Sequence, residues 1–298
     1  MPKSLSAAAT RKGILLMLLA IACFASMDAL AKGLMLRYPA PQVVWARFVG
    51  QAVLVTLFLG PSRFFPTLRS PYPFTHLARS ACQLGSTVFF FVSLRYIGLA
   101  EATVLADISP ILITLGAVLF LGERIGPHRI GAVFAALIGA TIIIRPGSGV
   151  FSPAALLPLA AAACFAANGL LTRKVGQLEG PSTAMLHAAV FGAVASSLAL
   201  PFFWHPVAAL DIPMFIVLGC LGTFAQFCVI RSFSMAEASV VAPFGYIGTV
   251  IATFWGLVIF GEFPDVYTIL GALVIIGSGL YVWSRESRTS APQTQHPE

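Results

Sequence analysis

The residues of this chain best suited to chemistry are the few ionisable side chains that interrupt its long apolar segments. Arg47 lies six residues into the apolar segment 41–60, which contains no acidic residue. Its planar guanidinium could hold a carboxylate through two parallel hydrogen bonds. The structural alternatives are an ion pair with Asp28 or Asp107 and a side chain that extends to the aqueous surface. Arg47 is therefore a candidate substrate-binding residue.

Asp107 and two prolines mark a second place where ligand chemistry is expected. Asp107 could contact a substrate or carry a coupling proton, and the structural alternative is a cap on a helix broken beside Pro110. Pro110 and Pro243 lie in corresponding apolar segments. A proline removes a helical hydrogen bond and frees a carbonyl group. Such interruptions in corresponding helices of two repeats indicate a binding site near the middle of a membrane, whereas a simple kink is the alternative.

Further polar and aromatic residues in apolar segments complete the set of candidates. Asp28 and Lys32 are four residues apart, so they share a helix face and are predicted to pair with each other; a role in coupling or gating is the second hypothesis. Interhelical hydrogen bonds or contact with a cavity are expected for Asn168 and His187. Aromatic residues that could form an apolar cavity wall, or contact lipid instead, are Phe91 and Tyr246.

Other chemistries have little support in the sequence. The five cysteines show neither CxxC nor metal-ligand spacing, so small packing residues are expected rather than a metal or redox site. The phosphate-binding pattern GxxxxGK[ST] is absent, so neither ATP nor another cofactor is expected. The formal net charge is +7, but the basic residues flank apolar segments. This distribution favours a lipid bilayer, rather than nucleic acid, as the partner.

The elements that carry these residues are predicted to be membrane-spanning helices. Hydrophobic residues make up 58% of the chain and charged residues 10%, whereas a soluble domain carries about 25% charged residues. A helix spans a bilayer with about 20 predominantly apolar residues. We therefore predict an all-α integral membrane protein with ten transmembrane helices, at residues 12–34, 41–60, 74–97, 100–121, 127–145, 153–172, 181–203, 212–234, 237–261 and 265–284.

An internal repeat divides this set of helices in two. Residues 94–105 (LRYIGLAEATVL) resemble residues 230–241 (IRSFSMAEASVV). The predicted repeats are 12–145 and 153–284, followed by a disordered cytoplasmic tail at 286–298. Five helices per repeat is an odd number, so the two repeats would be inverted in the membrane.

The topology follows from the basic residues. Most lysines and arginines, among them Arg79, fall in segments that an inside amino terminus places on the inner side. Both termini are therefore predicted to be cytoplasmic.

The chain also resembles a known family. Residues 100–147 (AEATVLADISPILITLGAVLFLGERIGPHRIGAVFAALIGATIIIRPG), 22–34 (ACFASMDALAKGL) and 41–48 (PQVVWARF) are similar to the EamA domain of the drug/metabolite transporter superfamily. The second copy departs from the pattern, with His187 near the position that corresponds to Arg47. The resemblance implies transport of small metabolites: some members export amino acids, including aromatic ones, and others move S-adenosylmethionine, riboflavin or nucleotide-sugars.

These observations predict a secondary transporter of the inner membrane, monomeric or homodimeric, that exports amino acids by alternating access. The alternative within transport is an importer of a vitamin or nucleoside-like metabolite. The alternative from another class is a membrane enzyme that modifies lipids. Such an enzyme would need His, Asp or Glu residues clustered near one interface, and the chain has only five histidines. We therefore do not expect an enzyme.

Overall fold

The computed structural model describes residues 7–121, 127–145, 152–175, 180–235 and 242–289, and the regular elements in these ranges are helical. In chain order the α-helices are α1 (Ala7–Met35), α2 (Ala40–Leu59), α3 (Pro61–Leu68), α4 (Pro73–Ser93), α5 (Leu99–Ala106), α6 (Ser109–Leu121), α7 (Pro127–Ile144), α8 (Leu156–Val175), α9 (Pro181–Ala199), α10 (Ile212–Met235), α11 (Ile247–Phe260) and α12 (Val266–Thr289). Short 3-10 segments are Pro153–Ala155, Leu200–Phe202, Ala209–Asp211 and Ala242–Tyr246.

Several of the described helices have the length of membrane-spanning elements, and the bundle has the apolar surface that lipid requires. Within the described residues, large apolar side chains such as Leu57, Phe58 and Phe202 remain exposed on the surface of the bundle. Lipid, unlike water, is a good solvent for such a surface. The chain is therefore an all-α, multi-pass membrane protein. In the part of the chain that the structure describes, six helical segments are apolar enough over at least 18 residues to cross a bilayer: Ala9–Met35, Ala40–Leu59, Pro153–Thr172, Ser182–Phe202, Ala209–Ser232 and Val266–Ser284.

The structure differs from the sequence-based expectation at three places. Helix α3 was not predicted, because its eight residues are too few to span a membrane. Helix α12 continues to Thr289, so residues 286–289 are helical and not part of a disordered tail; residues 290–298 lie outside the described residues. Arg79, counted from sequence among the basic residues on the inner side, is buried within α4.

The predicted helix 100–121 is divided by a turn. Helix α5 ends at Ala106, Asp107 and Ile108 form the turn, and α6 begins at Ser109. Pro110 follows in the first turn of α6, where its fixed backbone geometry is favourable. Because proline has no N–H group, the carbonyl group of Ala106 loses its donor four residues later. The interruption therefore lies beside Pro110, as the sequence indicated.

The second proline also lies in a backbone that is not α-helical. Pro243 belongs to the 3-10 segment Ala242–Tyr246, directly before α11. The residues before this segment, 236–241, lie outside the described part of the chain, and so does the first part of the predicted helix 237–261.

The bundle is assembled from helix pairs that join distant parts of the sequence. Helix α1 packs against α10 and α11, and α8 packs against α4 and α6. Helix α2 packs against α9 and α10, and α4 also contacts α9. Helices α7 and α12 pack against each other. This pattern places α1, α2, α4, α5 and α11 around the polar residues described below.

Two of these pairs depend on glycine. A Cβ atom added to Gly219 of α10 would lie 2.8 Å from the Cα atom of Gly50 on α2. A Cβ atom added to Gly271 of α12 would lie 2.6 Å from the carbonyl oxygen of Gly139 on α7. Backbones can approach this closely only where neither residue has a side chain. At Gly131 and Gly277, by contrast, an added Cβ atom would meet none of the described residues within 4 Å.

We expect Gly219→Val to lower the thermal stability of the purified protein in detergent. Overpacking of a close contact costs about 1–3 kcal/mol, and here the obstructing atoms belong to the Gly50 backbone, which cannot rotate away. Gly131→Val is the matched control, because its new side chain would face open space. Size-exclusion chromatography after heating would measure the effect. Equal midpoints for the two variants would contradict the close contact between α2 and α10.

Candidate functional site

Arg47 is held inside the bundle by aromatic rings and one hydroxyl group. Its Nη1 atom donates a hydrogen bond of 2.6 Å to Oγ1 of Thr87 on α4. The guanidinium lies 5.5 Å from the ring centroids of Phe48 and Phe91, a favourable distance for cation–π attraction. Asp28 on α1 lies near enough for its charge to interact with that of Arg47. Arg47 therefore has an acidic neighbour on another helix, which was one of the alternatives from sequence.

The guanidinium of Arg47 keeps donors for a further partner. Its buried Nε atom has no hydrogen-bond partner among the described residues, and the bond to Thr87 engages only Nη1. Gly222 of α10 lies next to the Nε atom of Arg47. A Cβ atom added to Gly222 would lie 3.7 Å from that Nε atom and 2.9 Å from the sulfur atom of Met27. The side chain of Arg47 is half-buried, so part of it remains accessible. This arrangement allows Arg47 to bind an anion without breaking its bond to Thr87.

An amide pair lies one helical turn from Thr87 on α4. Nδ2 of Asn168 on α8 donates to Oε1 of Gln83 at 2.8 Å, and both side chains are half-buried. The Thr87 hydroxyl donates to the backbone carbonyl of Gln83 at 3.1 Å. The amide pair keeps one acceptor, Oδ1 of Asn168, and one donor, Nε2 of Gln83, unbonded within the described residues. Such a pair can bind a polar group that presents both a donor and an acceptor.

Asp107 occupies the turn between α5 and α6. Oγ1 of Thr249 on α11 donates to its Oδ2 atom at 2.6 Å. Tyr246 lies near enough for its charge to interact with that of Asp107, and the Tyr246 hydroxyl packs directly against Gly279 of α12. Asp107 is half-buried. The structure therefore brings together two predicted candidates, Asp107 and Tyr246, and adds Thr249, which was not among the candidates from sequence.

Lys32 pairs with Glu262 and not with Asp28. Its Nζ atom donates to the Glu262 carboxylate at 2.6 and 2.7 Å and to the backbone carbonyl of Ile97 at 3.0 Å. Glu262 also accepts a hydrogen bond of 3.2 Å from the backbone N–H of Leu99. The predicted Asp28–Lys32 pair is therefore wrong. Although the two residues share a face of α1, each has an oppositely charged neighbour elsewhere: Arg47 on α2 for Asp28, and Glu262, between α11 and α12, for Lys32.

The same end of the bundle carries further links between α1, α2 and the segment before α10. The carboxylate of Asp211 accepts hydrogen bonds from Arg37 at 2.8 Å and from the Tyr38 hydroxyl at 2.8 Å. The Gln42 side chain exchanges two hydrogen bonds with the backbone of His205, at 2.9 and 3.0 Å. Together with Lys32 these contacts close this end of the bundle.

His187 belongs to a separate cluster on α4 and α9. Its ring stacks on that of His76 with 4.3 Å between centroids, and its Nδ1 atom lies 2.8 Å from the carbonyl oxygen of Thr183. Arg79 donates to Oγ1 of Thr172 at 3.2 Å and to the carbonyl group of Ala184. These contacts do not include Arg47, although His187 stands near the corresponding position in the second repeat.

Two of the predicted candidates are engaged by other residues of the bundle. Phe91 has no exposed surface, so its ring supports Arg47 from behind and does not line a cavity. His187 is engaged by the separate cluster described above. Sequence reasoning missed Thr87, although a signal existed: residues 76, 79, 80, 83 and 87 are polar and recur every three or four positions along the otherwise apolar helix α4.

Comparison with known proteins agrees with this arrangement. The model of the EamA-like transporter family matches residues 11–145 and 152–284. A riboflavin transporter of Rhizobium johnstonii is 29% identical over 279 residues, covering 93% of this chain and 92% of that protein. An S-adenosylmethionine uptake transporter of Rickettsia bellii is 27% identical, with 93% and 94% covered. A pseudopaline exporter of Pseudomonas aeruginosa is 29% identical, with 89% and 94% covered.

A solved crystal structure shares the fold. It superposes with a TM-score of 0.63 at 20% identity, covering 95% of this chain and 99% of that chain. The family match includes nearly all of the described helices and the residues around Arg47, Asp107 and Lys32. The chain is therefore a membrane transporter of small molecules, not an enzyme, and it belongs to the EamA-like transporter family.

Proposed function

We propose that the chain forms ten transmembrane helices in two inverted repeats and works by alternating access. The packing pattern supports this proposal. In this proposal each helix has a counterpart in the other repeat: α1 and α8, α2 and α9, α4 and α10, α7 and α12. When every helix is replaced by its counterpart, the α1–α10 contact becomes the observed α8–α4 contact, and the α2–α10 contact becomes the observed α9–α4 contact. The α2–α9 and α7–α12 contacts convert into themselves. A two-fold relation between repeats makes the two gates related structures. The excess of basic residues at one set of segment ends supports cytoplasmic termini in an inner membrane.

The proposed substrates are amino acids, including aromatic and apolar ones, and the proposed direction is export. The observation that carries this proposal is the Asp28–Arg47 arrangement: an enclosed guanidinium with unused donors beside a carboxylate. A zwitterion matches both charges, because Arg47 can bind its carboxylate while an enclosed carboxylate, Asp28 or Asp107, can bind its ammonium group. Trp255 donates a hydrogen bond to Ser26, two residues before Asp28 on α1, and its half-buried ring offers an apolar surface, which favours a moderately apolar side chain.

A vitamin or nucleoside-like substrate is the second candidate. The Asn168–Gln83 pair supports it, because its unbonded acceptor and donor suit the polar edge of a heterocycle. Two of the relatives are named for riboflavin and S-adenosylmethionine. Such a substrate would be imported if its driving gradient pointed into the cell, since the fold itself does not set the direction of transport.

The closed end of the bundle provides the proposed gate. In the proposed topology, Lys32, Glu262 and Ile97 lie on the outer side of the membrane. Their contacts join α1 to the residues between α4 and α5 and to those after α11. These contacts must break before a substrate can leave to the outside. Asp28 is the proposed coupling residue of this gate. It lies four residues before Lys32 on α1, and a substrate ammonium group would alter its interaction with Arg47.

We expect counterflow assays in proteoliposomes to identify the substrate class. Vesicles preloaded with unlabelled tryptophan should accumulate labelled tryptophan, and vesicles without protein should not. The same vesicles are tested with leucine, riboflavin and S-adenosylmethionine. Accumulation of the two amino acids would support the proposal. Accumulation of riboflavin or S-adenosylmethionine alone would contradict it and favour the second candidate.

A further inference from the structure

Asp107 lies deep in the bundle. It follows α5, which starts at Leu99, so it is about 12 Å along the helix axis from that end, near the middle of a hydrocarbon layer of about 30 Å. It interrupts a helix that packs against α1, α4, α7, α8, α11 and α12. A titratable group at such a depth is costly to charge and is usually functional.

Within the described residues, no cationic side chain lies at ion-pair distance from Asp107. Arg47 interacts with Asp28, and Lys32 is paired with Glu262. The hydrogen bond from Thr249 is the one polar side-chain contact that the described residues offer. A single hydroxyl group does not offset the cost of an enclosed negative charge. The described side chains therefore leave a carboxylate at this position without a counter-charge.

The carboxyl group of Asp107 can receive a cation. Thr249 occupies Oδ2, while Oδ1 has no hydrogen bond to the described residues. The side chain is half-buried, so part of it remains accessible. Tyr246 is the titratable neighbour whose charge interacts with Asp107. On α5 itself, Glu101 lies near the opposite end. Among the described side chains, three oxygens meet at this position, two from Asp107 and one from Thr249, too few for a metal cation such as Ca²⁺ or Mg²⁺, which takes six or more ligands.

We propose that Asp107, oriented by Thr249, is the proton-binding site that couples transport to a proton gradient. The proposal rests on the proposed function. A proton bound at Oδ1 gives a neutral carboxylic acid, and its release to water restores the carboxylate. An enclosed carboxylate without a counter-charge is neutralised by a proton or by the cationic group of a substrate. Because the two exclude each other, the transporter exchanges protons for substrate.

The test uses the full-length protein in proteoliposomes, with labelled tryptophan as the probe. One assay measures counterflow at equal pH on both sides, and the other measures accumulation in vesicles with an acidic lumen. A gradient of one pH unit supports about ten-fold accumulation for one-to-one exchange. We expect this accumulation for the wild type and for Thr103→Val, a control on α5 whose hydroxyl bonds only to its own helix.

Three variants separate coupling from folding. Asp107→Asn should lose the pH-driven accumulation, so that its ratio to counterflow falls about ten-fold. Asp107→Glu keeps a titratable group and should retain coupling, and Thr249→Val should shift the pH profile of counterflow. The proposal would be overturned if the wild type accumulated tryptophan to the same extent with and without the pH gradient. It would also be overturned if Asp107→Asn still showed pH-driven accumulation. Accumulation that requires a sodium gradient would overturn the assignment to protons.

The proposed substrate class can be rejected independently of the proton-coupling role of Asp107. Absence of tryptophan counterflow in the wild type would reject the proposed substrate class. The coupling test is then run with whichever of riboflavin and S-adenosylmethionine shows counterflow.

Discussion

Replacement of Arg47 by alanine is expected to reduce transport of carboxylate-bearing substrates at least ten-fold. A hydrogen bond to a charged group contributes about 1.5–3 kcal/mol, and each 1.4 kcal/mol changes an equilibrium about ten-fold. Arg47→Lys should recover only part of the activity, because an ammonium group cannot reproduce the planar fork of a guanidinium. Initial rates of tryptophan counterflow, normalised to the amount of reconstituted protein, would measure both effects.

Arg95→Ala is the matched control for this prediction, since Arg95 is exposed beyond the end of α4. Thr87→Val should have an intermediate effect, because it removes the hydrogen bond that orients Nη1. Normal transport by Arg47→Ala would show that Arg47 does not bind the substrate. Loss of folded Arg47→Ala protein from the membrane would instead indicate a structural role with Asp28.

Charge reversal at either Lys32 or Glu262 is expected to open the outer side of the transporter. The side chain of Lys32 is 7% exposed and that of Glu262 is 37% exposed. The pair is thus more enclosed than a surface ion pair, and its loss should shift the conformational equilibrium by about 1–2 kcal/mol. A single cysteine at Ser26, in a background without other cysteines, should then react faster with a membrane-impermeant thiol reagent added to whole cells. Lys32→Glu combined with Glu262→Lys should restore the slow reaction.

The Arg145–Asp265 pair provides the control for this measurement. It joins the ends of α7 and α12 with side chains that are 26% and 45% exposed, so Asp265→Asn should change the rate little. If the double reversal reacts as fast as the single reversals, the pair does not act as a gate. If all variants react slowly while transport continues, the outer route does not pass Ser26.

The class of the protein and the positions of most helices could be predicted from the sequence, because both follow from local composition. An apolar run of about 20 residues must form a helix in lipid to satisfy its backbone hydrogen bonds. The interruption beside Pro110 was equally local, since the missing N–H group acts within the same helix. Arg47 and Asp107 were identified as candidates for a similar reason: each is a charged residue type within an apolar run.

Only the tertiary structure decided which of these groups meet. Lys32 and Glu262 are 230 positions apart in the chain, and no local pattern distinguishes this pair from the Asp28–Lys32 pair that helix spacing suggested. The same limit applied to Phe91, whose ring is enclosed behind Arg47. Side-chain partners depend on how distant helices are placed and rotated against one another. That placement is set by contacts such as the Gly50–Gly219 approach, where the physical requirement is the absence of a side chain on both helices.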